Sequence, residues 1–205
     1  RQHFHYLLPI FRDPRYIRVD GKPMFLIYRS ASIDRCDEML AVWSALAREN
    51  GLKGIHVVSM LTGFPPDTRR GLFDAFVEFE PMYTLHHVRK PFWTRKRERW
   101  SRRWTHLSWR LFGTADRAPN SNDYREVWRR ILSRPIAPSH YPGAFVDWDN
   151  SPRRDLHRCL VFRRADPDAF QEYFAAQYRK AVSAGAAFLF VNAWNEWAEG
   201  TYLEP

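Results

Sequence analysis

The sequence predicts an α/β fold built on a parallel sheet, and three observations lead there. Five short apolar runs alternate with segments of helical periodicity, the order that parallel strands and crossover helices require. That alternation does not by itself separate a barrel from a doubly wound sheet. Two further features lean toward a barrel. No Gly-rich phosphate loop follows any of the runs. Polar and aromatic residues gather where the runs end, the face on which barrel enzymes build their sites.

Each element has its own signal. The opening residues read as a helix. An Asp20-Gly21-Lys22-Pro23 turn leads into the first strand, Met24 to Tyr28. From Asp34 to Asn50, helical periodicity runs through Met39, Leu40, Trp43 and Leu46, and Gly51 stops it. Gly54 to Ser59 is the second strand, and Ala75 to Phe79 the third. A helix from Asp123 to Leu132 sets Tyr124, Val127, Trp128 and Ile131 on one face. Ala144 to Asp147 is the fourth strand. A helix from Asp166 to Val182 has Asp166 as its N-cap ahead of Pro167. Ala187 to Ala193 is the fifth strand.

At 205 residues the chain can bury one sizeable core. It is 16% aromatic with nine Trp, a composition suited to gripping rings or resting on a membrane surface. The net charge is +9, and the segment 89–110 alone holds nine Lys or Arg against one acid, Glu98. Trp100, Trp104, Leu107 and Leu111 recur there at helical spacing, as in a basic amphipathic segment that lies on anionic membranes or binds acidic polymers. A merely solvated basic loop is the plainer reading. No recognised nucleic-acid motif accompanies the segment, so no specific nucleic-acid partner is expected. Cys36 and Cys159 are too few and too far apart for a disulfide framework. No His, Cys and Asp grouping has metal spacing, so neither a metal nor another cofactor is expected. No run of 18 apolar residues suggests a membrane span. The expected location is cytoplasmic, peripheral to the inner membrane through the basic segment. The chain starts with Arg1 inside a helix and stops at Pro205 directly after its densest motif, so it reads as part of a longer protein.

That motif is Asn192-Ala-Trp-Asn-Glu-Trp-Ala-Glu-Gly-Thr-Tyr-Leu-Glu-Pro205. Glu196 and Glu199 arrive three residues apart, beside Trp194 and Trp197. Carboxylates can donate, remove or hold protons at a glycosidic centre, and indoles offer flat platforms to sugar rings. At helical spacing the two Cβ atoms would lie roughly 5–6 Å apart, compatible with the about 5–5.5 Å of a retaining carboxyl pair. A solvated helix start would show the same spacing. Asn195, Tyr202 and Glu204 complete the polar set. Asp147, Trp148, Asp149 and Asn150 follow the fourth strand and suit hydroxyl binding with ring stacking, or else form an Asx turn. Arg153 and Arg154 could clamp a phosphate or acidic sugar bidentately, or sit solvated on the surface. Tyr28 and Arg29 end the first strand. Glu78 and Glu80 share one face of the third by alternation, where they line the site or form a salt bridge in the wall. His56 reads as a hydrogen-bonded core histidine.

The closing motif resembles that of the WbsX-like glycosyltransferase family, which is related to glycoside hydrolase family 99. Phe11 to Arg29 and Pro142 to Arg154 resemble the same family. The resemblance implies a partial (β/α)8 TIM-type barrel comprising about strands 4–8, without the first three strands and the last helix. Residues 1–205 would then be a single incomplete catalytic domain with a basic, Trp-rich insert at about 84–120. It also implies roles. Glu196 would act as base on the sugar's own 2-hydroxyl, giving a 1,2-anhydro intermediate, and Glu199 as general acid and then base. Ala198 stands where the hydrolases have a His, so the immediate sugar contacts differ. The implied substrate is an oligosaccharide or polysaccharide, in lipid-linked form where the basic segment meets a membrane. The implied setting is O-antigen or capsule metabolism. Paired acids fit retaining hydrolysis or transglycosylation, whereas the family name points to transfer from a nucleotide sugar. A glycan-binding module that has lost turnover would keep the indoles without needing both acids. An adaptor using only the basic arm would leave the terminal motif unexplained.

Overall fold

The computed structural model describes residues 1–69, 71–88, 121–154 and 159–204. The basic segment 89–110 and most of the expected insert therefore lie outside the described residues.

The chain opens with helix α1 (Gln2–Arg12), followed by a hairpin of β1 (Arg18–Val19) and β2 (Lys22–Ile27). Asp20 and Gly21 both take positive φ at that turn, as a two-residue hairpin loop requires. Next come α2 (Cys36–Glu49), β3 (His56–Leu61), β4 (Ala75–Glu78) and the short α3 (Met82–His86). After the undescribed stretch come β5 (Ser121–Asp123), α4 (Tyr124–Ser133), β6 (His140–Tyr141) and β7 (Gly143–Phe145). The last elements are β8 (Val161–Arg163), α5 (Pro167–Ser183), β9 (Phe190–Asn192), β10 (Asn195–Glu196) and β11 (Thr201–Tyr202).

Four parallel pairings make one curled half-barrel. β2 pairs with β3, β3 with β4 and β4 with β6, while β7 pairs with β9, all in parallel. The fourth strand, expected over Ala144 to Asp147, begins earlier and comes as two pieces, β6 and β7, on either side of Pro142. Proline has no N–H for a ladder, yet its carbonyl accepts from Phe190 N at 3.0 Å and carries the sheet onward. Gly143 is the tight point: a Cβ there would lie 1.9 Å from the Glu78 carbonyl oxygen. The strands themselves are shifted from expectation, β3 starting at His56 rather than Gly54 and β9 at Phe190 rather than Ala187.

Alternation sorts the side chains into two layers. Met24, Val58, Ala75, Val77 and Tyr141 pack together on the inner face, with Phe188 and Phe190 against them. Ile27, Ile55 and Val57 face outward onto α1 and α2, meeting Phe4, Phe11, Leu40 and Trp43. Buried positions at i, i+4 and i+7 in α1 (Phe4, Leu8, Phe11) give the stripe that seats it. α4 buries Tyr124, Val127, Trp128 and Ile131, the four residues expected on its inner face. Trp128 stacks between Phe145 and Tyr173, at 5.4 and 5.8 Å. A buried Trp of this size removes roughly 150–250 Å² from water, on the order of 4–6 kcal/mol before entropy is counted. The N-termini of α4 and α5 are each capped by an acid: Asp123 accepts from Glu126 N at 3.1 Å and Asp166 from Ala169 N at 2.7 Å. Both cysteines are buried. Among the described residues no helix is long and apolar enough to cross a membrane.

Candidate functional site

The candidate residues follow the C-terminal ends of the parallel strands. Tyr28 and Arg29 follow β2, Phe79 and Glu80 follow β4, Asp147 to Asn150 follow β7, and the terminal motif follows β9. The motif folds back on itself as a small antiparallel hairpin, with Asn195 opposite Tyr202 and Glu196 opposite Thr201. Trp194 closes its base by accepting from the N–H groups of Leu203 and Glu204, at 2.9 and 3.0 Å. Thr201 is fully buried and donates through Oγ1 to the Asn192 carbonyl at 2.9 Å. Val146 N reaches the same oxygen, and Asn192 Nδ2 donates to the Glu80 carbonyl at 3.2 Å. The hairpin is therefore pinned to β4, β7 and β9 together.

Between its two strands lies a single 3-10 turn, Trp197–Glu199, ended by Gly200 at φ +62. Glu196 precedes the turn with φ −86 and ψ 68, outside helical space. The two acids are not on an α-helix, as their spacing suggested; they bracket one tight turn. Both carboxylates therefore leave from one short piece of backbone, Glu196 from the end of β10 and Glu199 from the end of the turn. Asn195, Glu196 and Tyr202 are exposed, as are Trp194 and Trp197, at 62% and 61%. Glu204 is half-buried, and its Oε2 has no hydrogen-bond partner among the described residues.

The loop after β7 clasps this turn. Asp149 N donates to the Glu199 carbonyl at 2.8 Å, and Arg153 Nη2 donates to Glu199 Oε1 at 2.8 Å. A Cβ on Gly200 would lie 3.1 Å from Asp149 N, so glycine serves both the left-handed φ and the close approach. Asp149 Oδ1 accepts from Ser151 N at 2.8 Å, the Asx turn considered as the plainer reading. Asn150 is buried, and its Oδ1 accepts from Leu160 N at 2.7 Å. Asp147 accepts from Trp148 N at 2.7 Å, while burial pushes its carboxyl up against that bond, with the Asp149 charge adding to the rise.

Trp148 is 5% exposed, and its Nε1 has no partner among the described residues. It meets Phe79 edge-on at 6.5 Å, Phe79 meets Tyr28 at 5.8 Å, and Tyr28 meets Phe64 at 6.4 Å. The Arg29 guanidinium lies over Phe64 at 3.8 Å. Burial first, and then the Glu199 charge, push the Tyr28 hydroxyl up, with Arg29 opposing. Phe79 and Phe64 were not singled out from the sequence. For Phe79 a signal existed: if Glu78 and Glu80 share one face, the residue between them faces the other way.

Glu80, expected among the substrate-binding residues, is a wall residue in the structure. Its side chain is 0% exposed; Oε1 accepts from Arg134 Nη2 and Thr84 Oγ1, both at 2.8 Å, and Oε2 from Thr84 N at 3.1 Å. Arg134 also holds Glu78, which meets His140 Nδ1 at 3.2 Å. Burial pushes the Glu80 carboxyl up against the pull of Arg134. At Glu78 burial is outweighed by His140 and Arg134, and the carboxyl is held down. His56 is likewise internal, its Nε2 2.9 Å from Tyr141 Oη. Among the described residues no group of His, Cys, Asp or Glu could hold a metal ion.

A family model described as Glycosyltransferase WbsX matches residues 1–205. The chain is 34% identical over 199 residues to the uncharacterized protein WxcX from two strains of Xanthomonas campestris pv. campestris, across 95% of this chain and 26% of that protein. Among solved structures it is similar to the GH99 endo-alpha-mannosidase from Bacteroides thetaiotaomicron, with a TM-score of 0.53 at 17% identity, over 100% of this chain and 51% of that one. The complex of a GH99 endo-alpha-mannosidase with Bis-Tris propane gives a TM-score of 0.52 at 18% identity, over 100% of this chain and 54% of that one. The chain thus spans about a quarter of the curated relatives and about half of the solved enzymes. At this identity the structural likeness is one of fold.

Proposed function

The chain belongs to the WbsX glycosyltransferase family, and we propose that it acts in bacterial surface-polysaccharide metabolism, O-antigen or capsule, through the carboxylates of Glu196 and Glu199. One observation carries this reading. Two acids bracket a single turn beside two exposed indoles, at the strand ends where a barrel of this type works. A solvated acidic turn would have no need of a buried threonine, a left-handed glycine and a clasping loop to hold it.

The chemistry runs as follows. Glu196 takes the proton of the substrate's 2-hydroxyl as O2 attacks C1, and Glu199 gives a proton to the departing glycosidic oxygen. Water or an acceptor hydroxyl, deprotonated by Glu199, then opens the 1,2-anhydro sugar at C1, and Glu196 returns its proton to O2. Two inversions leave the configuration retained. Water yields hydrolysis and a sugar hydroxyl yields transglycosylation. Trp194, Trp197 and Tyr202 supply ring platforms, and Asp147, Asp149 and Asn195 supply hydroxyl contacts. A lipid-linked glycan met at the inner membrane surface suits the composition of the basic segment 89–110.

The family's name favours a second reading, transfer from a nucleotide sugar. One experiment separates the two. The full-length protein, Glu196→Gln and Glu199→Gln are incubated with surface polysaccharide, with and without nucleotide sugars, and products are followed by mass spectrometry. Shortened or re-joined glycans without nucleotide, reduced about 10²–10⁴-fold in each variant, are expected. Growth that requires a nucleotide sugar would replace the first reading by the second. Turnover unchanged in both variants would remove the two acids from the mechanism.

A further inference from the structure

Arg153 closes the short 3-10 segment Ser151–Arg153 in the loop after β7, where its N–H is held by the Asn150 carbonyl at 3.2 Å. Its side chain crosses to the terminal turn and gives one N–H to Glu199 Oε1 at 2.8 Å. That contact leaves Glu199 15% exposed while Arg153 itself stays 47% exposed. A guanidinium has five N–H donors, and Arg153 has no other side-chain partner among the described residues. Open donors therefore face solvent directly beside a candidate acid.

Acids dominate the surroundings. Glu196, Glu199, Asp147 and Asp149 all belong to the turn or the clasping loop, and a negatively charged substrate would be repelled there without a cation. Arg29 lies over Phe64 at the far side of Tyr28, whereas Arg153 is the cation that touches a candidate acid directly, and Arg154 beside it is exposed.

We propose that Arg153 is a specificity-determining residue that receives an anionic group of the glycan, a carboxylate or a phosphate, on the guanidinium donors that Glu199 leaves open. Two parallel N–H donors match either anion. The inference rests on the carbohydrate reading above and names the substrate class for that same site.

The test uses the full-length protein and three trisaccharides identical except for a terminal glucose, glucuronate or glucose 6-phosphate. Affinities are measured by calorimetry at 150 mM salt for wild type, Arg153→Lys, Arg153→Ala and, as a control for net charge, Arg179→Ala on the exposed side of α5. The quantity read is each anionic sugar's affinity relative to the neutral one. In wild type and Arg179→Ala this ratio should favour at least one anionic sugar by about 10–100-fold. It should collapse toward one in Arg153→Ala and recover in part in Arg153→Lys. Whichever anion carries the preference distinguishes uronate from phosphate. A ratio near one in wild type, a preference that survives Arg153→Ala, or equal losses in Arg179→Ala would each overturn the proposal while leaving the carbohydrate reading intact. Failure of wild type to bind any of the three sugars would overturn both.

Discussion

The main-chain N–H of Asp149 donates to the carbonyl of Glu199 at 2.8 Å, and this bond joins the loop after β7 to the turn carrying both candidate acids. It forms only because Gly200 lets the two backbones approach. Any Cβ there meets Asp149 N at 3.1 Å and Asp149 O at 3.2 Å, at a φ of +62. Gly200→Ala should therefore cost about 1–2 kcal/mol from the left-handed backbone alone. Turnover should fall further, on the order of 10²-fold, because a carboxylate displaced by about 1 Å no longer meets its reacting atom. Thermal melts beside kinetics check this; unchanged turnover would show that the clasp does not set the position of Glu199.

A second prediction concerns the wall. Arg134 is the cation for both Glu78 and Glu80, whose side chains are 3% and 0% exposed. Arg134→Met strands two buried carboxylates and should destabilise by about 3–5 kcal/mol in urea unfolding. Adding Glu78→Gln and Glu80→Gln to that variant should restore part of the loss, since neutral amides need no counter-charge. A loss below about 1 kcal/mol for Arg134→Met would mean the network carries no such strain.

The sheet has its own test at Gly143. A methyl group 1.9 Å from the Glu78 carbonyl oxygen cannot be accommodated without parting β4 from β7. Gly143→Ala should lower stability by about 1–3 kcal/mol or more, read by denaturant midpoint. Wild-type stability would show that the strands part freely.

Stability should also depend on acid through Asp67. Its carboxyl is held down to about 2, chiefly by the hydrogen bond from Arg69, which in turn donates to the Ser30 carbonyl at 2.8 Å behind Tyr28 and Arg29. The folded value lies below the ordinary 3.8, so the unfolded state takes up the proton first as pH falls. The contribution is therefore complete above about pH 4 and is lost on the way down to about pH 2. Asp67→Asn should cost about 1.5–3 kcal/mol at pH 7, and the gap between variant and wild type should narrow progressively below pH 4. A gap that stays constant down to pH 2.5 would disprove the assignment.

Much of this architecture could be read along the chain. The five strands and the four long helices were legible because burial of one face imposes a period of two or 3.6 on the sequence. The acid caps were legible for Asp166, whose place before Pro167 states the helix start. The wall was half legible: alternation put Glu78 and Glu80 on one face, but nothing local revealed that Arg134, more than fifty residues on, would claim both. The stretches β1, β5, β8, β10 and β11 have two or three residues each, too few for any periodicity to register.

By itself the sequence determined the alternation of parallel strands with helices, the faces of the helices and the grouping of acids and indoles in its last fourteen residues. Those are properties of neighbours along the chain, set by periodicity and composition. Only the tertiary structure decided that Glu196 and Glu199 bracket a tight turn instead of sharing a helix, that Glu80 is withdrawn into the wall, and that Arg153 reaches Glu199. These depend on how closely separate strand ends converge, and that distance is set by packing across the half-barrel, with Gly143 and Gly200 placed where the backbones come nearest.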